Sequence, residues 1–163
     1  MKKFLLTLVA VLCVSGAFAQ DWKVGGRVGS GLQAVGQYTL NHDNYVEGRF
    51  GMAWLGGLSA DFTALYNWHI LDMDWTPDAG TWFFDAGVGV NVGGAKGFCY
   101  VGPAGMARLG YTFKKAPVSL SADYTPVLGL VLYGKDFVGD YDKNVGFFGN
   151  GWGNFGITCT YNF

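Results

Sequence analysis

Phe155-Gly156-Ile157-Thr158-Cys159-Thr160-Tyr161-Asn162-Phe163 alternates without a break. Phe155, Ile157, Cys159, Tyr161 and Phe163 face one way, and Gly156, Thr158, Thr160 and Asn162 face the other. A period of two belongs to a β-strand, and an apolar face opposite a small polar one places that strand between two different media. An aromatic last residue with no polar tail is unusual for a soluble domain. The segment is therefore expected to report where the protein lives rather than what it does.

The first residues point the same way. Lys2 and Lys3 form a positive start, Phe4 to Val14 an apolar stretch, and Ala17-Phe18-Ala19 a small-residue cleavage site before Gln20. That order and length predict a cleaved secretory signal peptide over residues 1–19, too short to span a membrane. A core helix fits poorly, because the stretch has no polar face. Leu12 precedes Cys13 where a lipoprotein site wants a small residue, so no lipidation is expected. Residues 20–163 then form one domain, with no linker-like stretch to divide it.

Composition excludes several classes. Without Lys2 and Lys3, nine basic residues stand against twelve acidic ones, which offers nucleic acid no electrostatic attraction. Only Cys99 and Cys159 follow the signal, so no disulfide framework is expected. No later run of about 18 apolar residues exists for a transmembrane helix. Yet half the residues are hydrophobic and 17% are aromatic. Such a chain must enclose its apolar surface in a sandwich or barrel, or turn it toward lipid.

The period-two template divides the chain into eight segments. The first is about Trp22 to Gly29, with Lys23 and Arg27 on its polar face, and the second is Leu32 to Leu40. The third, Tyr45 to Trp54, sets Val46, Phe50, Met52 and Trp54 against Glu47 and Arg49. The fourth, Leu58 to His69, sets Phe62, Tyr66 and Trp68 against Ser59, Asp61, Thr63, Asn67 and His69. The fifth, Trp82 to Asn91, carries Asp85 and Asn91 opposite Trp82, Phe84 and Val88. The sixth starts irregularly near Pro103 and ends with Arg108 and Thr112 opposite Leu109, Tyr111 and Phe113. The seventh, Val118 to Thr125, carries Ser119, Ser121 and Asp123. Pro126 to about Gly151 is rich in Gly and Asp and reads as a loop before the terminal strand.

Two features bear on which face is inside. Trp54, Tyr66, Trp68, Trp82, Tyr111 and Phe113 are read at strand ends, as an interfacial aromatic girdle requires. The opposite face is small and polar with isolated, sign-balanced charges: Lys23, Arg27, Arg49 and Arg108 against Glu47, Asp61, Asp85 and Asp123. Unpaired charge is costly away from water, so these eight are expected to pair across a narrow lumen. Eight strands of about ten residues match a small even-numbered barrel. Lipid around it forces the sheet to close. The expected fold is all-β: a single closed eight-stranded antiparallel up-and-down transmembrane β-barrel.

The signal peptide, the eight alternating segments and the terminal Gly156 to Phe163 together resemble small bacterial outer-membrane β-barrels. The ending resembles the C-terminal signal read by the barrel-assembly machinery, carried here by Phe155, Ile157, Cys159, Tyr161 and Phe163. Tyr38-Thr39-Leu40-Asn41 followed by Glu47-Gly48 is similar to barrels of Bacteroides-type bacteria. So are Tyr66-Asn67-Trp68-His69, Tyr111-Thr112-Phe113-Lys114 and Leu120-Ser121-Ala122-Asp123-Tyr124. The resemblance implies an outer-membrane location and contact with membrane lipid and lipopolysaccharide. It also implies passage through periplasmic chaperones and the assembly machinery, and it specifies architecture rather than activity. A monomer without a cofactor is expected.

Strand parity puts Asn41 to Asn44, Asp72 to Gly80 and Lys114 to Pro117 at the periplasmic end, with Gly29 to Gly31, Leu55 to Gly57, Val92 to Gly97 and Pro126 to Gly151 opposite. His69 shares a face with Ser59, Asp61, Ser119, Ser121 and Asp123. Ser59 lies about ten residues from it, roughly 30 Å along a strand. That is beyond the reach of a nucleophile and its base. His69 reads instead as a rim histidine bonded to turn backbone, and His42 as a solvated turn residue. Asp136, Asp140 and Asp142 read as a solvated loop before a Ca²⁺ site. No Cys/His cluster has metal-ligand spacing. An eight-stranded barrel is just wide enough to be filled by its own side chains. The first functional reading is thus a non-enzymatic structural or surface-interaction barrel with a plugged lumen. A narrow passive pore comes second and a lipid-modifying enzyme third.

Overall fold

The computed structural model describes residues 21–54, 58–133, 145–148 and 150–163. Among the described residues ten strands follow one another: β1 Trp22–Gly29, β2 Gly31–Asn41, β3 Asn44–Ala53, β4 Ser59–Met73, β5 Gly80–Ala95, β6 Phe98–Phe113, β7 Val118–Tyr124, β8 Gly129–Tyr133, β9 Val145–Phe148 and β10 Phe155–Asn162. All their pairings are antiparallel. Strands β1 to β7 pair in chain order, β7 pairs with β10, and β10 returns to β1 from Lys23↔Asn162 to Gly29↔Gly156. The sheet closes on itself.

Ten strands make eight staves. β7 and β8 hold one register against β6, from Ala107↔Tyr124 through the bridge Ala104↔Val127 to Phe98↔Tyr133. Their interruption has a chemical cause. The Leu128 N–H donates to Pro103 O at 3.0 Å, and the Gly105 N–H donates to Pro126 O at 3.0 Å. In each pair the returning bond would need the N–H that proline lacks. β9 and β10 are likewise one stave, separated by a 3-10 turn over Asn150–Gly153. The fold is a closed eight-stranded antiparallel up-and-down β-barrel.

Its stagger can be followed residue by residue. From Gly25 the partners run through Val35, Arg49, Thr63 and Asn91 to Gly102 on β6. The other way they run through Thr160 and Ser119 to Thr112, ten positions further along β6. A stagger of this kind tilts the strands against the barrel axis, typically by about 35–45°.

Several expected boundaries move. The stretch read as a loop from Pro126 to Gly151 contains β8, β9 and the 3-10 turn. Leu128, Leu130 and Leu132 point out while Val127 and Val131 point in, so the strand period was present beside the Gly- and Asp-rich residues. Asp136, Asp140 and Asp142 lie outside the described residues, as do the signal segment 1–19 and the Gly56-Gly57 turn. β6 runs without a break through Pro103 rather than starting irregularly there. β5 continues to Ala95, which leaves Lys96-Gly97 as the turn into β6; Gly97 sits at φ 96°, a conformation suited to glycine. β4 continues to Met73, so Tyr66 and Trp68 lie within a strand and not at its end.

The hairpins β2–β3, β4–β5 and β6–β7 lie at the same end as the start of β1 and the finish of β10, here the terminal end. The remaining connections lie at the loop end. Side chains are sorted between the two surfaces in the reverse of a water-soluble barrel. Among the described residues, thirty-three large hydrophobic side chains are exposed, including Phe50, Val88, Phe155 and Ile157. The buried set holds nineteen polar or charged residues and only eight hydrophobic ones.

Candidate functional site

Period-two geometry aims Arg27, Glu47, Arg49, Arg108 and Asp123 from five positions into one lumen, and all five are at least 96% buried. Glu47 is the hub. It accepts from Arg49 Nε at 2.5 Å, from Arg108 Nη1 and Nη2 at 2.7 and 2.9 Å, and from Gln37 Nε2 at 2.5 Å. Asp123 is the second hub, accepting from Arg27 Nε at 2.8 Å, Arg49 Nη1 at 3.2 Å and Thr158 Oγ1 at 2.8 Å. Arg49 thereby bridges both carboxylates. Charge-assisted forks of this kind are the strong class of hydrogen bond, and here they tie β1, β3, β6 and β7 across the barrel axis.

The other two inward acids are satisfied differently. Asp61 accepts from Gln33, from Asn91 Nδ2 at 2.7 Å, from the Tyr100 hydroxyl at 2.9 Å and from Thr63 Oγ1 at 3.4 Å. All four donors are neutral. Asp85 accepts from the Tyr45 hydroxyl at 2.7 Å and lies 2.9 Å from His69 Nδ1. Lys23 stands at the terminal end and makes no ion pair among the described residues. The eight charges therefore form a central ion-paired cluster of five, with Lys23, Asp61 and Asp85 outside it.

His69 departs from its expected role. Its ring contacts Asp85 and, through Nε2 at 3.3 Å, Asp72; only its backbone N–H reaches turn backbone, donating to Asp43 O at 2.7 Å. His69 and Asp85 are cross-strand partners, and the bulge between His69 and Leu71 shifts the register so that Asp72 reaches the same face. Ser59 lies toward the loop end, near Ala53 O and the Tyr100 hydroxyl, and makes no contact with His69.

No protein-family model, curated protein or solved structure matches this chain.

The lumen is layered. Its loop-end part is filled by an apolar cluster of Ala53, Leu65, Tyr100, Ala104, Met106, Val127 and Val131. The ion pairs occupy the middle, and a polar cavity opens at the terminal end. Sequence reasoning missed Tyr45 and Tyr100 as lumen donors, although each shares parity with a charge on its own strand, Glu47 and Arg108 respectively. It also missed Asn154, which accepts from Arg27 Nη2 at 3.1 Å, because an isolated amide beside a turn carries no periodic signal.

Glycine leaves room for one of these charges. A Cβ on inward-facing Gly156 would come within 2.5 Å of the Arg27 guanidinium carbon. Gly156→Ala is expected to push Arg27 off Asp123 and cost about 1–3 kcal/mol, the usual range for overpacking. Urea unfolding of the refolded protein measures it; an unchanged midpoint would mean that the guanidinium has room to shift.

Outside, aromatic side chains gather toward both ends. Trp75, Trp82, Tyr111 and Phe113 form a chain with ring centroids 5.6, 5.0 and 4.9 Å apart at the terminal end. Trp22 with Tyr38 and Tyr161 with Phe163 form two separate ring pairs at the same end. Tyr124 and Phe155 stack at 4.5 Å toward the loop end, where exposed Trp54 also lies. Of the six girdle residues read from the sequence, Tyr66 and Trp68 face outward but sit inside β4. The outward row of β10 consists of Phe155, Ile157, Cys159, Tyr161 and Phe163, all exposed.

Proposed function

We propose that this chain is an integral outer-membrane β-barrel with a non-enzymatic, structural or surface-interaction role, its lumen plugged by its own side chains. The inverted sorting of side chains carries this reading. A soluble monomer rarely exposes contiguous apolar patches beyond a few hundred Å². Here apolar side chains clothe the outer wall, while three arginines and their acids are dry inside. A closed sheet leaves no unpaired edge for hydrocarbon to meet, and Trp and Tyr at both ends suit the headgroup levels. Lipid and lipopolysaccharide are then the barrel's permanent neighbours, and it works as a monomer.

A signal peptide over residues 1–19 would deliver it to the periplasm. The outward row of β10, ending at Phe163, would then present it to chaperones and the barrel-assembly machinery. The resemblance to Bacteroides-type barrels belongs to the same proposal. The plug argues against the narrow-pore alternative, because the ion-paired middle and the apolar loop-end cluster lie in series along the lumen. No conductance is expected in a planar bilayer.

Heat-modifiable gel mobility together with membrane fractionation tests the membrane reading. The folded protein is expected in the outer-membrane fraction, migrating faster unheated than boiled. Recovery as soluble periplasmic protein would overturn it.

A further inference from the structure

The lumen wall at the terminal end divides by strand into two unlike halves. On the contiguous strands β1, β10, β7 and β6 stand Lys23, Arg108 and the hydroxyls of Ser119 and Ser121. No carboxylate from these strands lines the space between the halves. On the contiguous strands β2 to β5 and their turns stand Asp43, Asp72, Asp85 and His69. The cavity they enclose measures about 260 Å³ and opens past the exposed His42 and Asp43.

Each half holds one charge with capacity to spare, Lys23 in the first and Asp72 in the second. Lys23 lines the cavity together with Asp85 and makes no ion pair among the described residues. Arg108, 98% buried, commits its terminal nitrogens to Glu47 and Tyr45 and adds its positive charge to this wall. The Asp72 carboxylate meets the His69 ring and is otherwise 60% exposed at the rim.

We propose that this cavity binds a small zwitterion of about the size of a free amino acid. Its carboxylate points to Lys23 and the hydroxyl wall, and its ammonium points to Asp72 and Asp85. A simple anion would face three acids, and a simple cation would face Lys23 and Arg108. Only a molecule carrying both charges matches both halves at once, and like-charge contacts reject the others. The volume falls below the roughly 300–1,000 Å³ typical of sites for drug-sized ligands, which confines the occupant to a few heavy atoms. The site belongs to the lumen and does not depend on the medium outside the barrel.

Isothermal titration calorimetry on the full refolded chain in detergent micelles tests this with three probes. Alanine carries both charges, alanine methyl ester only the ammonium, and N-acetylalanine only the carboxylate. Alanine is expected to bind roughly tenfold or more tightly than either, since each lost charged hydrogen bond is worth about one decade or more. Lys23→Met, outside the ion-paired cluster, should reduce alanine to the affinity of its ester. Asp72→Asn at the rim should reduce it toward that of N-acetylalanine, with folding of both variants checked by heat-modifiable mobility. Equal affinity for the three probes, no saturable heat with any, or wild-type alanine binding by both variants would each overturn the proposal.

Discussion

Glu47→Gln is expected to destabilise the barrel by about 3–5 kcal/mol, the cost of breaking a buried ion pair from one side. The substitution keeps the side chain's volume, so no cavity contributes. What changes is charge: Arg49 and Arg108 both direct their N–H groups at this carboxylate, and both are buried. An amide there turns an N–H₂ group toward guanidinium donors and takes away one of the oxygens that accepted from them. Domains are stable by only about 5–15 kcal/mol, so the loss is a large share of the total. Urea titration in micelles reads it as a lowered midpoint. Adding Arg49→Met should recover part of the loss, making the double variant milder than the sum of the singles. A cost under about 1 kcal/mol would resemble that of an exposed pair and would contradict a dry, mutually dependent network.

Val88→Arg is expected to cost about 2–4 kcal/mol when the protein is folded in a bilayer, the range for a cation on the lipid face near the midplane. Val88 lies halfway along β5, points outward and is 55% exposed. On a soluble barrel the same change would be nearly neutral, because an exposed valine contributes little and an arginine there would be hydrated. The size of the effect thus separates the two media directly. Arginine in place of His42, in an exposed turn, is the control and should change stability by less than about 0.5 kcal/mol. Equal effects at both positions would remove the lipid-facing reading of the outer wall.

Much of the fold was legible because a strand's period leaves no freedom in assigning faces. Arg27, Glu47, Arg49, Asp61, Asp85, Arg108 and Asp123 each sit at an inward parity, and each is buried. Lys23 shares the parity and lines the mouth. Boundaries were less legible. Pro103 and Pro126 look like breaks from the sequence, but a strand survives a missing donor where its partner supplies the remaining bond. Glycines and aspartates around 134–142 obscured the two short strands that flank them.

Alternation by itself determined which residues share a face, and that one surface is apolar while the other carries balanced charge; the expectation of closure needed lipid outside as well. Alternation reached that far because side-chain parity is local, set by two residues at a time. Which charges meet was decided only by the tertiary structure. Sign balance made pairing of all eight plausible, yet Asp61 is held by neutral donors, Asp85 by Tyr45 and His69, and Lys23 by neither. Partners across a lumen depend on the ten-residue stagger and on which strand stands opposite, and both arise when the last strand finds the first. The same closure brings Lys23 opposite Asp85 and creates the two-sided cavity, a feature with no counterpart in any single segment.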